Sequence, residues 1–206
     1  MEIRTKHARA ENHGGKRAEI GFLVIHFTAN RGDTAKNNAE YFAREVTRTS
    51  AHYFVDENEV WQSVPDDVTA WHCGGQTYYH AACRNANSIG IEICMHDRQG
   101  ALRQGSIDRA AALARMLMEK YDIPAEHVLR HYDVTHKDCP APMVEDPARW
   151  EAFRTALRRA EAAPAGWAKA AWEKAAAAGI VDGTRPAEPV TRQELAVILD
   201  RLGLIR

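Results

Sequence analysis

Short apolar segments rich in β-branched residues alternate with segments of helical periodicity, and this alternation constrains the fold more than any other feature. Residues 21–27 (GFLVIHF) and 88–94 (SIGIEIC) each predict a buried strand. Apolar residues recur at helical spacing over about residues 34–47 and 107–121, which predicts two amphipathic helices. We therefore expect an α/β fold, with a mixed central β-sheet flanked by helices.

The rest of the first 160 residues extends this pattern. The expected helix caps are Asp33 or Thr34 for the first helix and Ser106 for the second. The further elements expected are a hairpin of residues 52–56 and 60–64, a strand at 128–131, and a helix that begins at Asp146 and Pro147. Residues 1–20 show no periodic pattern, so we expect them to form a loop or a loose arm.

The composition changes near residue 160. Residues 160–166 (AEAAPAG) are typical of a linker between two folded parts. Beyond it we expect an alanine-rich helix over 167–178 that ends at Gly179, and a last helix that a capping box at 191–194 begins. The expected parts are a larger domain that carries the chemistry, residues 1–160, and a small all-helical C-terminal module, residues 164–206.

Charge and hydropathy exclude several classes of partner. The 206-residue chain has a formal net charge of -1, so no general basic field is expected to attract nucleic acid or anionic lipid. The longest aliphatic run, residues 22–25, is far shorter than the roughly 20 residues of a membrane span. The first 20 residues hold no apolar signal-peptide core, so we expect synthesis in the cytoplasm without a signal peptide. The four cysteines are expected to be free thiols in a reducing compartment, although their number would allow two disulfides.

The residue types that could carry chemistry gather in two places. His26 ends the first apolar segment, where a lone histidine is more often a core residue bonded to the backbone. The segment 131–140 (HYDVTHKDCP) changes this balance, because it places His131, Lys137 and Cys139 close together. Two imidazoles and a thiolate suit zinc, and three protein ligands leave a fourth position for water, as in catalytic zinc sites. A nucleophilic role for Cys139 is less favoured, since no helix N-terminus is expected beside it to lower its pKa.

Five segments, taken in order, resemble the type-2 N-acetylmuramoyl-L-alanine amidases, a family that includes phage endolysin amidases and peptidoglycan recognition proteins. The matching segments are 24–26 (VIH), 50–55 (SAHYFV), 70–72 (AWH), 87–92 (NSIGIE), and His131 with Lys137 and Cys139. The resemblance covers about residues 20–157. No single segment is specific, and the ordered set of five carries the resemblance.

The resemblance implies a role for each matched position. His26, His131 and Cys139 would bind one Zn²⁺ per chain. Glu92 would be the general base, and Lys137 would stabilise the developing oxyanion. The substrate-binding positions that the resemblance implies are His52, Trp71, His72 and Asn87.

The implied activity is zinc-dependent hydrolysis of the amide bond between N-acetylmuramic acid and L-alanine in bacterial peptidoglycan. A phage or prophage endolysin, released to the cell wall with the help of a separate membrane-permeabilising protein, would fit a wall substrate and a cytoplasmic origin. Three alternatives stay open: a peptidoglycan-binding protein without catalysis, a peptidase that cuts within the stem peptide, and a regulatory protein with a structural zinc.

The C-terminal module resembles one S-layer-homology repeat, in which two helices flank a loop, here residues 183–186 (GTRP). This resemblance implies binding to a secondary cell-wall polymer. About forty residues bury little apolar surface alone, so the module is also expected to associate with a second copy, as a homo-oligomer. The alternative is a helical hairpin that packs on the catalytic domain of the same chain.

Overall fold

The computed structural model describes residues 1–157, 168–181 and 192–204. The chain divides into two compact units, Met1–Leu157 and Arg158–Arg206. The strands of the first unit are β1 (Arg4–Thr5), β2 (His13–Lys16), β3 (Phe22–Phe27), β4 (Tyr53–Val55), β5 (Val60–Gln62), β6 (Val68–Ala70), β7 (Ser88–Ile93) and β8 (Val128–Arg130). Its α-helices are α1 (Ala35–Arg44), α2 (Gln104–Tyr121), α3 (His131–Thr135), α4 (Ala141–Val144) and α5 (Pro147–Leu157).

Six strands form one mixed sheet in the order β1-β5-β4-β7-β3-β8, and β2 pairs with β6 in a separate two-stranded sheet. The central strand β3 is parallel to both β7 and β8, whereas β4 and β5 form the expected antiparallel hairpin. Central parallel strands are covered on both faces, which explains why β3 and β7 are almost continuously apolar. The predicted α/β fold with a mixed central sheet is confirmed.

The alternation of side chains along β3 and β7 separates two faces of the sheet. Leu23, Ile25 and the three isoleucines of β7 belong to the main core, together with residues of α2 and α5. Each such fully buried aliphatic side chain contributes about 1.5–3 kcal/mol to stability. Phe22 and Val24 face the opposite side, where they pack with residues of the segment that follows β6 and with the region around α3. His26, two residues after Val24, therefore faces this second side.

The prediction that residues 1–20 form a loose arm is wrong. Strand β1 pairs in parallel with β5, and β2 pairs antiparallel with β6. Between these strands Asn12 is fully buried, and its Oδ1 accepts hydrogen bonds from the backbone N–H groups of Thr47 at 2.7 Å and Arg48 at 2.9 Å. The segment is held largely by backbone pairing and by polar side chains such as those of Asn12 and Arg17, so it lacks the periodic apolar pattern that reveals a strand.

The helices begin and end close to the predicted residues, with two differences. Thr34 caps α1 as expected, since its Oγ1 accepts from the backbone N–H of Asn37 at 3.1 Å. The helix ends at Arg44 rather than near residue 47, because the Asn12 side chain binds the backbone that follows it. Helix α2 begins at Gln104, so Ser106 lies buried inside its first turn and is not its cap.

The second unit contains helix α6 (Lys169–Ala177) and helix α7 (Arg192–Arg201). Gly179 follows α6 in the left-handed conformation, with φ 66°, which is the helix-ending role predicted for it. The predicted linker, the loop at 183–186 and the capping box at 191–194 lie outside the residues whose side chains are described. None of the described helices is both long and apolar enough to span a bilayer.

Candidate metal centre and active site

Three potential metal ligands come together at the carboxyl ends of the neighbouring strands β3 and β8. His26 lies near the carboxyl end of β3, and His131 directly follows the carboxyl end of the neighbouring parallel strand β8. Cys139 lies on the loop after α3. One donor atom from each residue lies within 4.8 Å of the other two, and all three side chains are buried. We call His26, His131 and Cys139 the ligand cluster.

The donor atoms of the ligand cluster suit a metal ion. Neither ring nitrogen of His131 has a hydrogen-bond partner of good geometry among the described residues, although both are buried. Leaving such polar atoms unpaired in the interior is costly, and coordination would satisfy one of them. The Nδ1 atom of His26 lies 3.7 Å from Cys139 Sγ, so these two donors face the same point. Two imidazoles and one thiol are donors that zinc accepts.

Burial also sets the protonation of the ligand cluster. Burial lowers the pKa of His26 well below its usual range, and it lowers the pKa of His131 to about 4, with the Lys137 charge acting in the same direction. Both imidazoles are therefore neutral at pH 7, which is the form that binds metals. Burial, and then the Glu92 carboxylate, raise the pKa of the Cys139 thiol to about 12. Cation binding at Cys139 must therefore displace a proton.

A second histidine orients the ring of His26. The Nε2 atom of His26 lies 3.0 Å from His72 Nδ1, and His72 Nε2 lies 3.3 Å from both the carbonyl oxygen and the Oγ of Ser88. If His26 Nδ1 offers its lone pair to a metal, its Nε2–H donates to His72 and His72 Nε2–H donates to Ser88. Such a hydrogen-bonded partner fixes the tautomer and direction of a ligating imidazole.

Gly90 makes this arrangement possible. The His72 ring lies directly against the backbone of β7, so that a Cβ atom at position 90 would be only 2.5 Å from His72 Cγ. The resemblance implies that His72 binds substrate, which stays a prediction; its hydrogen bond with His26 also suits it to orient that ring. Sequence reasoning missed the roles of Ser88 and Gly90. The signal that could have found them is two small residues at alternate positions of one strand face, which leave room for a side chain from another segment.

Glu92 lies beside the ligand cluster. It stands opposite His26 in the register of β7 and β3, and its side chain is partly exposed. Its Oε2 atom is buried without a hydrogen-bond partner among the described residues. Burial raises the pKa of Glu92 to about 8, against the lowering effect of the Lys137 charge. A carboxylate with a pKa near neutrality is suited to both accept and return a proton at physiological pH.

Lys137 is exposed on the loop between His131 and Cys139. Its positive charge lowers the pKa values of both cluster histidines and of Glu92, which places the ammonium group near all three. The structure thus gathers five of the predicted site residues, the ligand cluster with Glu92 and Lys137, in one region. Their functional roles stay predictions.

His52 is enclosed by the protein. It is fully buried, and both of its ring nitrogens bind backbone: Nδ1 accepts from Gly90 N–H and Nε2 lies against the Val68 carbonyl, each at 3.0 Å. Burial lowers the pKa of His52 well below its usual range, so the ring is neutral. His52 links the backbone of β7 to β6. The substrate-binding role that the resemblance implies stays a prediction, which the burial of the ring does not favour.

Asn87 and Trp71 make contacts away from the ligand cluster, and their implied substrate-binding roles stay predictions. Asn87 precedes β7, about 16 Å along the strand from Glu92 at roughly 3.3 Å per residue. Its Oδ1 accepts from Arg84 N–H at 2.8 Å and its Nδ2 donates to the Ala82 carbonyl at 3.1 Å, so this amide closes a turn. The indole nitrogen of the partly buried Trp71 lies against Gly14 of β2.

Comparisons with known proteins identify relatives of this chain. A family model described as N-acetylmuramoyl-L-alanine amidase matches residues 16–142. A probable N-acetylmuramoyl-L-alanine amidase of Bacillus licheniformis is 37% identical over an alignment of 149 residues, and the match covers 68% of this chain and 42% of that protein. The chain thus spans about two fifths of the length of this relative.

Two solved structures are similar in fold. The catalytic domain of XlyA superposes with a TM-score of 0.66 at 27% identity, over 76% of this chain and 99% of that domain. A mutant endolysin from Bacillus subtilis gives the same TM-score, 0.66, at 27% identity and the same coverage, 76% and 99%. The coverage of a separate catalytic domain agrees with the division of this chain at Leu157.

Proposed function

The chain belongs to the N-acetylmuramoyl-L-alanine amidase family, and we propose that it hydrolyses the amide bond between N-acetylmuramic acid and L-alanine in bacterial peptidoglycan. In this proposal one Zn²⁺ is bound by His26, His131 and Cys139. The observation that carries the proposal is the buried ligand cluster beside the carboxylate of Glu92. A structural zinc site would bring four protein ligands together, whereas this cluster supplies three and borders a general base.

The proposed mechanism divides the work between the ion and two side chains. His26, His131 and Cys139 would hold a zinc ion, which would supply Lewis acidity to the scissile carbonyl and to a water molecule. Glu92 takes the proton from the attacking water and returns it to the leaving amine of L-alanine. Lys137 places a positive charge where the tetrahedral intermediate carries its negative oxygen, a contact worth roughly 10²–10³ in rate.

His72 and Ser88 act behind the ligand cluster. Their hydrogen bonds hold the His26 ring in one orientation, so that its Nδ1 atom stays directed towards Cys139. Preorganised donors avoid the free-energy cost of ordering the ligands when the ion binds. The charge of the assembled site would be +1, from Zn²⁺, one thiolate and two neutral imidazoles. This charge would favour the ionised form of Glu92, and so counteract the effect of burial.

The cellular setting is part of the proposal. We infer that the protein is a phage or prophage endolysin, made in the cytoplasm and released to the wall with a separate membrane-permeabilising protein. The similarity to a Bacillus subtilis endolysin over most of the first unit supports this role. Expression of the protein alone in bacterial cytoplasm should leave the cells intact, whereas added protein should clear exposed cell walls.

The C-terminal module is proposed to anchor the enzyme to the wall, as an S-layer-homology-like repeat that binds a secondary cell-wall polymer and associates with a second copy. None of the residues of α6 is buried, and α7 exposes the apolar side chains of Leu195 and Val197. Exposed apolar side chains favour association with another surface. The remaining alternative for this module is a helical hairpin that does not associate with a second copy.

Two measurements test the enzymatic proposal. Metal analysis of the purified protein should give about one zinc per chain, and His26→Ala should lose both the zinc and lytic activity, whereas the exposed His7→Ala should lose neither. Mass spectrometry of digested peptidoglycan identifies the bond that is cut. Free stem peptides with intact glycan strands indicate the amidase, cut stem peptides indicate a peptidase, and the absence of any product indicates a binding protein.

A further inference from the structure

An exposed stack of aromatic rings borders the proposed active site. The rings of Tyr79 and His136 are parallel within 9°, with their centroids 3.6 Å apart, and the Tyr132 ring stacks against His136 at 5.2 Å. Tyr79 is 58% exposed, the highest value among the large apolar side chains found exposed in residues 1–157. With its ring stacked on His136 on one side and this much of the side chain exposed, Tyr79 can accept a ligand against the ring.

The backbone holds these rings in place. The N–H of Tyr79 donates to the Val134 carbonyl at 2.9 Å, which fixes the segment after β6 against α3. His136 ends α3 in the left-handed conformation, with φ 58°, and its N–H donates to the Tyr132 carbonyl at 2.8 Å. The rings are therefore arranged before any ligand arrives, which lowers the entropic cost of binding to them. We call Tyr79 and His136 the aromatic platform.

The position of the aromatic platform relates it to the substrate. His136 is the residue directly before Lys137, and it follows the helix that His131 begins. In the proposed substrate the scissile carbonyl is joined to a sugar ring by a short lactyl ether. When that carbonyl reaches the ligand cluster, the glycan strand must lie close to it. Because His136 adjoins Lys137 in the chain, we expect the platform to lie within reach of the strand to which the cleaved peptide is attached.

We propose that the aromatic platform is a sugar-binding subsite that holds one pyranose ring of the glycan strand against the exposed face of Tyr79. This inference rests on the proposed function, since it names the part of that substrate which the platform recognises. A pyranose ring has one face of C–H groups, which packs against an aromatic ring, while its hydroxyl groups stay in water. The platform lies on the surface, and it makes such a contact without burying the polar groups of the sugar.

Two substrates with the same scissile amide test the proposal. One is a soluble muropeptide that keeps several sugars, and the other is a D-lactyl-L-alanyl peptide that has no sugar. Tyr79→Ala should raise KM for the first substrate by about tenfold, or roughly 1.4 kcal/mol, and leave kcat unchanged, because the contact is equal in ground and transition states. Both kinetic constants for the peptide without sugar should equal those of the wild type.

Two control variants define the contact. Tyr79→Phe should restore KM, since the ring face rather than the hydroxyl makes the contact. Tyr41→Ala removes another exposed tyrosine, which lies on α1, and should change nothing. An unchanged KM of Tyr79→Ala for the glycan substrate overturns the proposal. An equal rise of KM for both substrates also overturns it, because the platform would then bind the peptide.

A binding measurement keeps this inference separate from the amidase proposal. Titration of the wild-type protein with a chitin oligosaccharide should shift the ring resonances of Tyr79 and His136 in NMR spectra, whether or not either amide is hydrolysed. Unshifted resonances up to the solubility limit of the oligosaccharide overturn the sugar-binding subsite. If neither substrate is hydrolysed by the wild type, the amidase proposal fails, and the titration alone decides for or against the platform.

Discussion

His26 and Glu92 lie directly opposite each other on the neighbouring parallel strands β3 and β7. Paired residues of neighbouring strands point to the same face of a sheet. A proposed metal ligand and a proposed general base therefore lie side by side on one face of the sheet. A slip of one residue in this pairing would turn Glu92 into the apolar core. The buried isoleucines on the opposite face of β7 fix the register and thereby the distance between the two functional groups.

Glu92→Gln tests the role of the carboxylate. The amide keeps the size of the side chain but cannot take a proton from water, so we expect kcat to fall by roughly 10²-fold or more. Zinc content and melting temperature should stay close to those of the wild type, because Glu92 is not among the proposed ligands. Glu126→Gln, an exposed glutamate before β8, is the matched control. A kcat within twofold of wild type would remove Glu92 from the mechanism.

Gly90→Ala tests the positioning role of His72. The new Cβ would lie 2.5 Å from His72 Cγ, so the His72 ring must move away from its hydrogen bond with His26. Loss of such an orienting partner typically lowers metal affinity about 10–100-fold. Competition with a chelating indicator measures the zinc affinity.

Gly15→Ala is the control for Gly90→Ala, since a Cβ at position 15 would meet no heavy atom within 4 Å. Its zinc affinity should equal that of the wild type. If Gly90→Ala binds zinc with wild-type affinity, then His72 does not orient His26, and its hydrogen bond is incidental to metal binding.

The ligand types could be predicted from the sequence, because each stands next to a recognisable local pattern. His26 ends an apolar strand, and Cys139 lies a few residues beyond His131 in a segment rich in coordinating side chains. The hydrogen-bonded chain through His72 to Ser88 could not be predicted in this way. It depends on how closely the segment after β6 approaches β7, which is a tertiary contact that leaves no periodic signal.

The strands likewise differ in how well the sequence predicts them. The strands β3 and β7 were predicted because their burial on both faces requires continuous apolar sequence. Strands β1 and β2 were missed, since they are short, carry polar and exposed residues, and are held by backbone hydrogen bonds. The resemblance implies a substrate contact at His52, and sequence alone does not show that both of its ring nitrogens bind backbone.

Asp66→Asn should make the protein less stable in a pH-dependent way. The Asp66 carboxylate accepts hydrogen bonds from the hydroxyl groups of Tyr53 and Tyr121, each at 2.6 Å, and from Gln62 and Lys120, each at 3.0 Å. Burial alone would raise the pKa of Asp66, but these hydrogen bonds outweigh it and leave the pKa lowered. Removing the charge should cost about 2 kcal/mol at pH 7, as expected for hydrogen bonds to a charged group.

The sign of the pH dependence follows from the lowered pKa. The stabilisation by Asp66 is fully present above the pKa of an unfolded aspartate, about 3.9, and is lost as the pH falls through the lower folded value. Urea denaturation at pH 7 and at about pH 3 should therefore show a smaller difference between wild type and variant at the acidic pH. Asp67→Asn, at an exposed neighbour, is the control. A difference that grows towards acidic pH would contradict this account.

Removal of the C-terminal module should separate wall binding from catalysis. The last helix of the first unit, α5, buries Trp150, Phe153 and Leu157 in the main core, so a chain that ends at Ala163 keeps this packing. That shortened protein should hydrolyse soluble muropeptides at the wild-type rate, because every proposed catalytic group lies before residue 140. Cosedimentation with intact cell walls should fall, since weak contacts of several modules act together only when they are linked.

Light scattering should give the full-length protein a mass above that of one chain and the shortened protein the mass of a monomer. If cosedimentation is unchanged, the module does not anchor the enzyme. If the full-length protein is a monomer, the module is a helical hairpin that does not associate with a second copy.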